Sequence, residues 1–423
     1  PRSAGGRFVP ATQSFVNDGA DSPTIDAAGP AEDYSLETAP NGSRMNQGSY
    51  GNTPEASRSG GAPYPGCVVV SNVGAGQPYA TISAGVAALP GALTGHSCVV
   101  VRDAATYAEQ VTVEGFTNNG SSISIFTDPA VGSRAVLDPP AASTAAFFVK
   151  NASVNVLNID VRPTVELAQY GVYASSAHIL VSSVNVDAGG SPDNKIWSAG
   201  IALSSWSVVA HASVTVRSAA ALELRQAAYT TVSYSTFQAA SSAMAAVFVN
   251  ASSSSTFSVV LASNSAGTAL KLTDAAYNTF DRSTANATVN GDCSLCFNSS
   301  AWNTVSRSYI DNTDGYGLAL WSGSNYNTVT DSTATTRSVS YAAFLVGGSS
   351  NSVARVMADN RGWAMSVDGD WNFVSASTMT ADFSGSSALY IGGDHNTVTG
   401  GYVGNPSGPG AWLPGARSPG DCS

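Results

Sequence analysis

SGSNYNTVTDST occupies residues 322–333, and its central phrase returns as AWNTV, AYNTF and DHNTV elsewhere in the chain. Aligning the asparagines gives Asn278, Asn303, Asn327, Asn351, Asn372 and Asn396, with successive steps, by subtraction, of 25, 24, 24, 21 and 24 residues. A near-constant period of this length marks a solenoid, in which each repeat stacks on the next. After each Asn comes a strand-forming pair: Thr279-Phe280, Thr304-Val305, Thr328-Val329, Ser352-Val353, Phe373-Val374 and Thr397-Val398. Thr256-Phe257, Thr231-Val232 and Val208-Val209 continue that register upstream. A second column precedes the Asn, as in Leu270-Lys271-Leu272, Leu318-Ala319-Leu320 and Phe344-Leu345-Val346. Apolar residues two apart describe a strand with one face buried.

No period has room for an amphipathic helix, which excludes leucine-rich, ankyrin and tetratricopeptide repeats. The fold class is therefore all-β, a parallel β-helix with one repeat per coil. From Cys98 to Tyr402 the period predicts about 13 coils, a rod on the order of 60 Å long at the strand spacing. An Asn at one fixed corner of every coil can hydrogen-bond to the Asn above and below, as in the Asn ladders of stacked sheets. QPYATISAGVAALP (77–90) has Ile82, Val86 and Leu89 at helical spacing and is expected to be a short capping helix at the N-terminal end of the rod.

Composition narrows the function. The 423 residues carry a formal net charge of -11, with only 11% charged residues and no basic stripe, so nucleic acid is not an expected partner. No apolar run is long enough to span a membrane. The five cysteines are Cys67, Cys98, Cys293, Cys296 and Cys422. Cys67 and Cys98 each open a CVVV strand, so a disulfide between them is expected. Cys293 and Cys296 form a CxxC that reads as two buried or bridged thiols, since the βαβ setting of a redox motif is absent. Cysteine usage points to an oxidising, extracellular setting. The first residue is Pro1, and the chain is expected to be processed from a longer precursor.

Tyr79-Ala80-Thr81-Ile82 and the strand residues Tyr107, Val111 and Val113 resemble those of the right-handed parallel β-helix repeat family, the pectate-lyase-like superfold. The resemblance is to modules of large secreted multi-module bacterial surface proteins. SPTIDAAGPAEDYSLETAPNGSRMNQGSYGNTPEAS (22–57) resembles the segment that closes such a module, yet it comes first. The resemblance thus implies three parts. Residues 1–62 form an extended segment that docks on a neighbouring subunit, 63–404 form the β-helix, and 405–423 form a Gly/Pro-rich tail. It also implies a secreted structural protein, the building block of a cell-surface fibre, filament, sheath or adhesin, self-associating head-to-tail through residues 1–62. The alternative is a polysaccharide-active enzyme, a lyase or hydrolase, or a glycan-binding module engaging a cell-surface glycan.

Candidate chemistry is sparse. Asp368, Asp370, Asp394 and His395 are the one acidic cluster that could serve catalysis, because close carboxylates can share a proton or flank a glycosidic bond. The position before the ladder Asn is Tyr277, Trp302, Tyr326, Ser350, Trp371 and His395, with Trp206 and Tyr229 earlier. Such a stripe suits sugar stacking or a lateral contact. Four residues after the Asn come Arg282, Arg307, Asp331 and Arg355, a surface charge ladder. No Ser-His-Asp order and no phosphate loop is present, and no cofactor or metal is expected.

Overall fold

The computed structural model describes residues 66–190 and 195–413 throughout, and residues 2–58 except 4, 5, 17, 19–21, 26, 30, 31 and 39–44. The chain from Val69 onward winds into a parallel β-solenoid of about 14 turns. One face is a sheet of 13 strands, all in parallel register. Val247, Leu270, Leu295, Leu318, Phe344, Met365 and Leu389 lie directly over one another in it. They are all but fully buried, because alternate residues of a strand face opposite sides and the apolar set must face inward.

The remaining strands hydrogen-bond into one network of 23. The column after the ladder Asn runs through it in register: Val209, Val232, Phe257, Phe280, Val305, Val329, Val353, Val374 and Val398. The core is continuous down the rod, and like residues stack within it. Phe257 and Phe280 lie 4.5 Å apart between ring centroids at an interplanar angle of 13°. Some strands carry the chain around a corner. Thr231–Ala239 pairs with both Val208–Ala210 and Ser213–Val216, which the preceding coil keeps separate. Its corner residue, Tyr234, is left-handed, as are His211, Val259, Arg282, Arg307, Asp331 and Arg355 in their coils.

The N-terminal end is closed by α1 (Ile82–Ala87). Thr81 Oγ1 accepts from the Ala84 N–H at 3.1 Å. The Glu109 carboxylate accepts from the Ile82 and Ser83 N–H groups at 2.7 and 3.0 Å. Together they satisfy donors that a helix start leaves free. Ile82 and Val86 are buried against the first coils, and Leu89 is buried just beyond the helix.

Two expected boundaries differ. The described residues within 2–58 are not extended. Arg7–Val9 and Ser14–Val16 form an antiparallel hairpin, with an Arg7–Asp18 ion pair at 3.0 Å. Arg58 returns to it, its N–H donating to Gly6 O at 2.8 Å and its guanidinium lying 4.0 Å from the Phe15 ring centroid. Short-range polar closure of this kind stabilises turns over an extended strand. At the other end, Ala411–Trp412 pairs in register with Leu389–Tyr390, so the solenoid runs past 404 into the expected tail. Among the described residues no helix is long and apolar enough to cross a membrane.

Candidate functional site

The asparagine file builds one edge of the rod. The N–H groups of Asn278, Asn303, Asn327, Asn351 and Asn372 each donate to the Oδ1 of the next Asn, at 2.8 to 2.9 Å. From Asn278 to Asn351 the Nδ2 group also donates to that Oδ1, at 3.1 to 3.2 Å. A buried turn is thereby hydrogen-bonded in every coil. The file falters at Asn372, whose Nδ2 is buried without a partner.

That turn presents the preceding residue to solvent. Trp206, Tyr229, Ser254, Tyr277, Trp302, Tyr326, Ser350, Trp371 and His395 all have φ between 53° and 62°. Their backbones hydrogen-bond coil to coil, from Trp206 N–H to Ala228 O at 2.8 Å through to Trp371 N–H to Asp394 O at 3.0 Å. The nine positions therefore form one vertical file. Seven carry rings, and every ring is exposed. A bulky residue in the left-handed region is uncommon, where Gly or Asn costs less. Neighbouring rings lie face to face. Centroids are 4.3 Å apart for Trp206–Tyr229, 4.4 Å for Trp302–Tyr326 and 4.1 Å for Trp371–His395. Tyr277–Trp302 is looser at 6.2 Å. Ser254 and Ser350 interrupt the stack. The break at Ser254 is readable from the register of Thr256-Phe257, although Ser255 stands in place of the Asn.

The acidic cluster divides. The Asp370 carboxylate accepts from the Asp394 N–H at 2.7 Å, and the Asp370 N–H donates to Ser349 Oγ at 3.2 Å. Asp368 turns instead to the outer face of the 13-stranded sheet. There Ser366 Oγ donates to it at 3.1 Å, in a cavity of about 340 Å³ with Tyr316, Trp363 and Tyr390. No three of Asp368, Asp370, Asp394 and His395 bring ligand atoms within 4.8 Å of one another. His395 is stacked on Trp371. The reason is the turn: Asp368 and Asp370 lie beyond the strand Met365–Val367, where the alternation that keeps residues two apart on one face no longer holds.

Cys67 is bonded to Cys98, and Cys293 to Cys296. The second pair is buried beside Asp292, whose Oδ1 lies 3.3 Å from Cys296 Sγ. Cys422 lies outside the described residues. The expected charge ladder centres on an acid the sequence reading passed over. Asp281 accepts from Arg282 Nε at 2.9 Å, Arg307 Nε at 2.7 Å and Ser306 Oγ at 2.8 Å. Burial alone would raise the Asp281 carboxyl, but these bonds outweigh it and hold it below the usual carboxylate range. Arg355 forks onto Asp331 at 2.6 and 2.8 Å.

A second overlooked group is Glu223, on the outward side of Ala220–Arg225 and only 3% exposed. Its Oε1 accepts from Arg225, and with stacked Tyr170 and Tyr173 it lines a separate cavity of about 340 Å³. Alternation alone predicts solvent for this position; the neighbouring coils supply the cover.

A family model described as right handed beta helix region matches residues 145–355. No curated protein matches the chain. Among solved structures, it is similar to a DFA-IIIase mutant from Arthrobacter chlorophenolicus A6. The identity is 12%, coverage is 78% of this chain and 94% of that one, and the TM-score is 0.48. For the mannuronan C-5 epimerase AlgE6 A-module of Azotobacter vinelandii the identity is 13%, the coverages 78% and 93%, and the TM-score 0.37. Identities and scores this low say nothing of substrate. The stacked parallel coils and the matched region agree on one point: the chain belongs to the right-handed parallel β-helix proteins.

Proposed function

We propose that this rod is a glycan-binding module that engages polysaccharide along its aromatic edge, outside the cell. One observation carries the reading: seven exposed rings at a single left-handed position of nine stacked coils. Solvent-facing apolar surface repeated down one line marks an interaction site. A left-handed backbone under bulky side chains points the same way. The two disulfides support an oxidising compartment.

Affinity gel electrophoresis against a set of neutral and acidic polysaccharides tests this. At least one polysaccharide should retard the protein, and Trp302→Ala with Trp371→Ala should release it. Retardation that survives both changes would refute the aromatic edge as the site. Release of reducing ends or unsaturated products, abolished by Asp394→Asn, would replace binding with catalysis.

A second reading, end-to-end assembly into a fibre through residues 1–62, is favoured by the last described coil. There Tyr402 and Trp412 are more than half exposed, beside a strand edge of the kind that invites pairing. Sedimentation velocity should then show concentration-dependent polymers that deletion of residues 1–62 dissolves.

A further inference from the structure

The rings of the aromatic edge cannot all offer their faces to a sugar. Trp302 is covered on one side by Tyr326 at 4.4 Å and on the other by Tyr277 at 6.2 Å, so mainly its edge meets solvent. Between the two ends of the file, faces are open where the stack is interrupted. Tyr229 and Tyr277 flank Ser254, and Tyr326 and Trp371 flank Ser350. These four rings are 49% to 62% exposed.

The width of each break follows from the ladder. Tyr326 N–H donates to Ser349 O at 3.2 Å, and Ser350 N–H to Asp370 O at 2.9 Å, so the coils stay stacked through the break. The flanking rings are then two coil rises apart, about 9.5 Å at the ~4.8 Å strand spacing. A flat ring in carbon contact at ~3.5–4.0 Å on each side spans only about 7–8 Å, too little to fill the break. A puckered pyranose chair is thicker and takes up the remainder. A flat aromatic guest would touch one wall only.

We propose that the breaks at Ser254 and Ser350 are two pyranose-binding slots, each holding one sugar ring between two aromatic faces. This deepens the glycan-binding reading and rests on it. The chemistry of the guest is set by the walls. Both are apolar faces, so a hydroxyl projecting axially from either side of the chair would be pressed against a ring without a hydrogen-bond partner, which is costly. Only a chair with every substituent equatorial keeps C–H groups on both faces, and that is the β-gluco configuration. Its hydroxyls then lie in the plane of the slot. At Ser350 they meet Ser349 and the Asn325 amide, whose Oδ1 accepts from the Ser349 N–H at 2.7 Å. The net charge of -11 disfavours uronates and selects neutral sugars. The Ser254 slot has Ser253 and Ala228 in the corresponding places, so it offers fewer polar groups and is the weaker of the two. They are four coils apart, about 19 Å at the same spacing, and a branched or multi-chain glucan can occupy both.

Filling the slots tests this without opening the fold, because the same corner already accepts tyrosine in three coils. Tryptophan fluorescence of the full chain is titrated with methyl β-D-glucopyranoside, its galacto and manno epimers, and the methyl glucuronide. The glucoside should bind best, each competitor being weaker by about tenfold or more. The double variant Ser254→Tyr/Ser350→Tyr should lose glucoside binding while its melting temperature stays the same or rises. Trp371→Ala, which leaves the Ser350 slot without one wall, should lose most of the response. If the tyrosine variant is unfolded, Trp371→Ala alone decides, with circular dichroism as its control. Glucoside affinity unchanged in a folded variant would overturn the slots and leave the aromatic edge standing. Retardation by polysaccharides without glucoside preference would do the same, whereas no binding to any glycan would overturn both.

Discussion

Asn303 closes two requirements at once. Its Oδ1 accepts from the Asn278 N–H and its Nδ2 donates to the Ala275 and Ala301 carbonyls, at 2.9 to 3.0 Å. Asn303→Ala should therefore orphan several buried groups, at about 1–3 kcal/mol each. A lowered midpoint in guanidinium unfolding checks it, and Asn303→Asp should not rescue it, because the donor is gone. At Asp281 the sign of a pH effect follows from its partners. Its carboxyl is held below the usual range in the folded protein by Arg282, Arg307 and Ser306. A depressed folded pKa contributes stability that is full above the unfolded value, about 3.9, and is lost as pH falls through the folded value. Stability of the wild type should drop below about pH 4 in part for this reason. Asp281→Asn should be less stable near neutrality and show a shallower acid loss in unfolding titrations at several pH values.

At the scale of the element, the limiting feature is the corner where one coil presses on the next. A Cβ on Gly369 would lie 2.0 Å from Gly348 O, and one on Gly393 would lie 2.2 Å from Gly369 O. The contact is with backbone, which cannot swing aside, so Gly369→Ala must separate two coils or shift the ladder Asn beyond it. Loss of about 3 kcal/mol or more is expected, in the range of overpacked sites. It should appear as a lower melting temperature and weaker protection of Asn351 and Asn372 amides. Phe280→Ala, which removes a stacked core ring, should cost about 3–5 kcal/mol by the same assay. Conversely, tyrosine at Ser350 changes only an outward corner.

For the whole molecule, contacts run between neighbouring coils, so damage should stay where it is made. Reduction of the Cys67–Cys98 disulfide removes a link between the first two coils, joined as Val69–Val73 and Ser97–Val101. Amide exchange should rise around residues 68–101 and remain unchanged across Val247–Ile391. Uniform loss of protection would mean that the rod unfolds as one unit. The same geometry makes the aromatic edge a multivalent surface: sites repeat along a rigid axis at fixed spacing, and their distance does not depend on any loop.

How much was legible follows the same order of scale. The Asn-Thr-Val phrase and the apolar pairs at a two-residue spacing determined the coil, its period and the register of the core, because stacking like on like leaves a periodic trace in one dimension. The ladder of Asn278 to Asn396 and the positions of Trp302 and Trp371 could be named from that trace alone. The surroundings of the other outward residues left no such trace. Asp368 and Asp370 are two apart in sequence, yet one lines a cavity on the sheet face and the other bonds to the Asp394 N–H at the corner. Glu223 lies under the side chains of other coils, and Ser254 and Ser350 become slots only because rings above and below turn their faces toward them. Inward residues are specified by their own alternation, since burial is imposed strand by strand. Outward residues acquire their environment from coils some two dozen residues away, and only the tertiary stack brings those together.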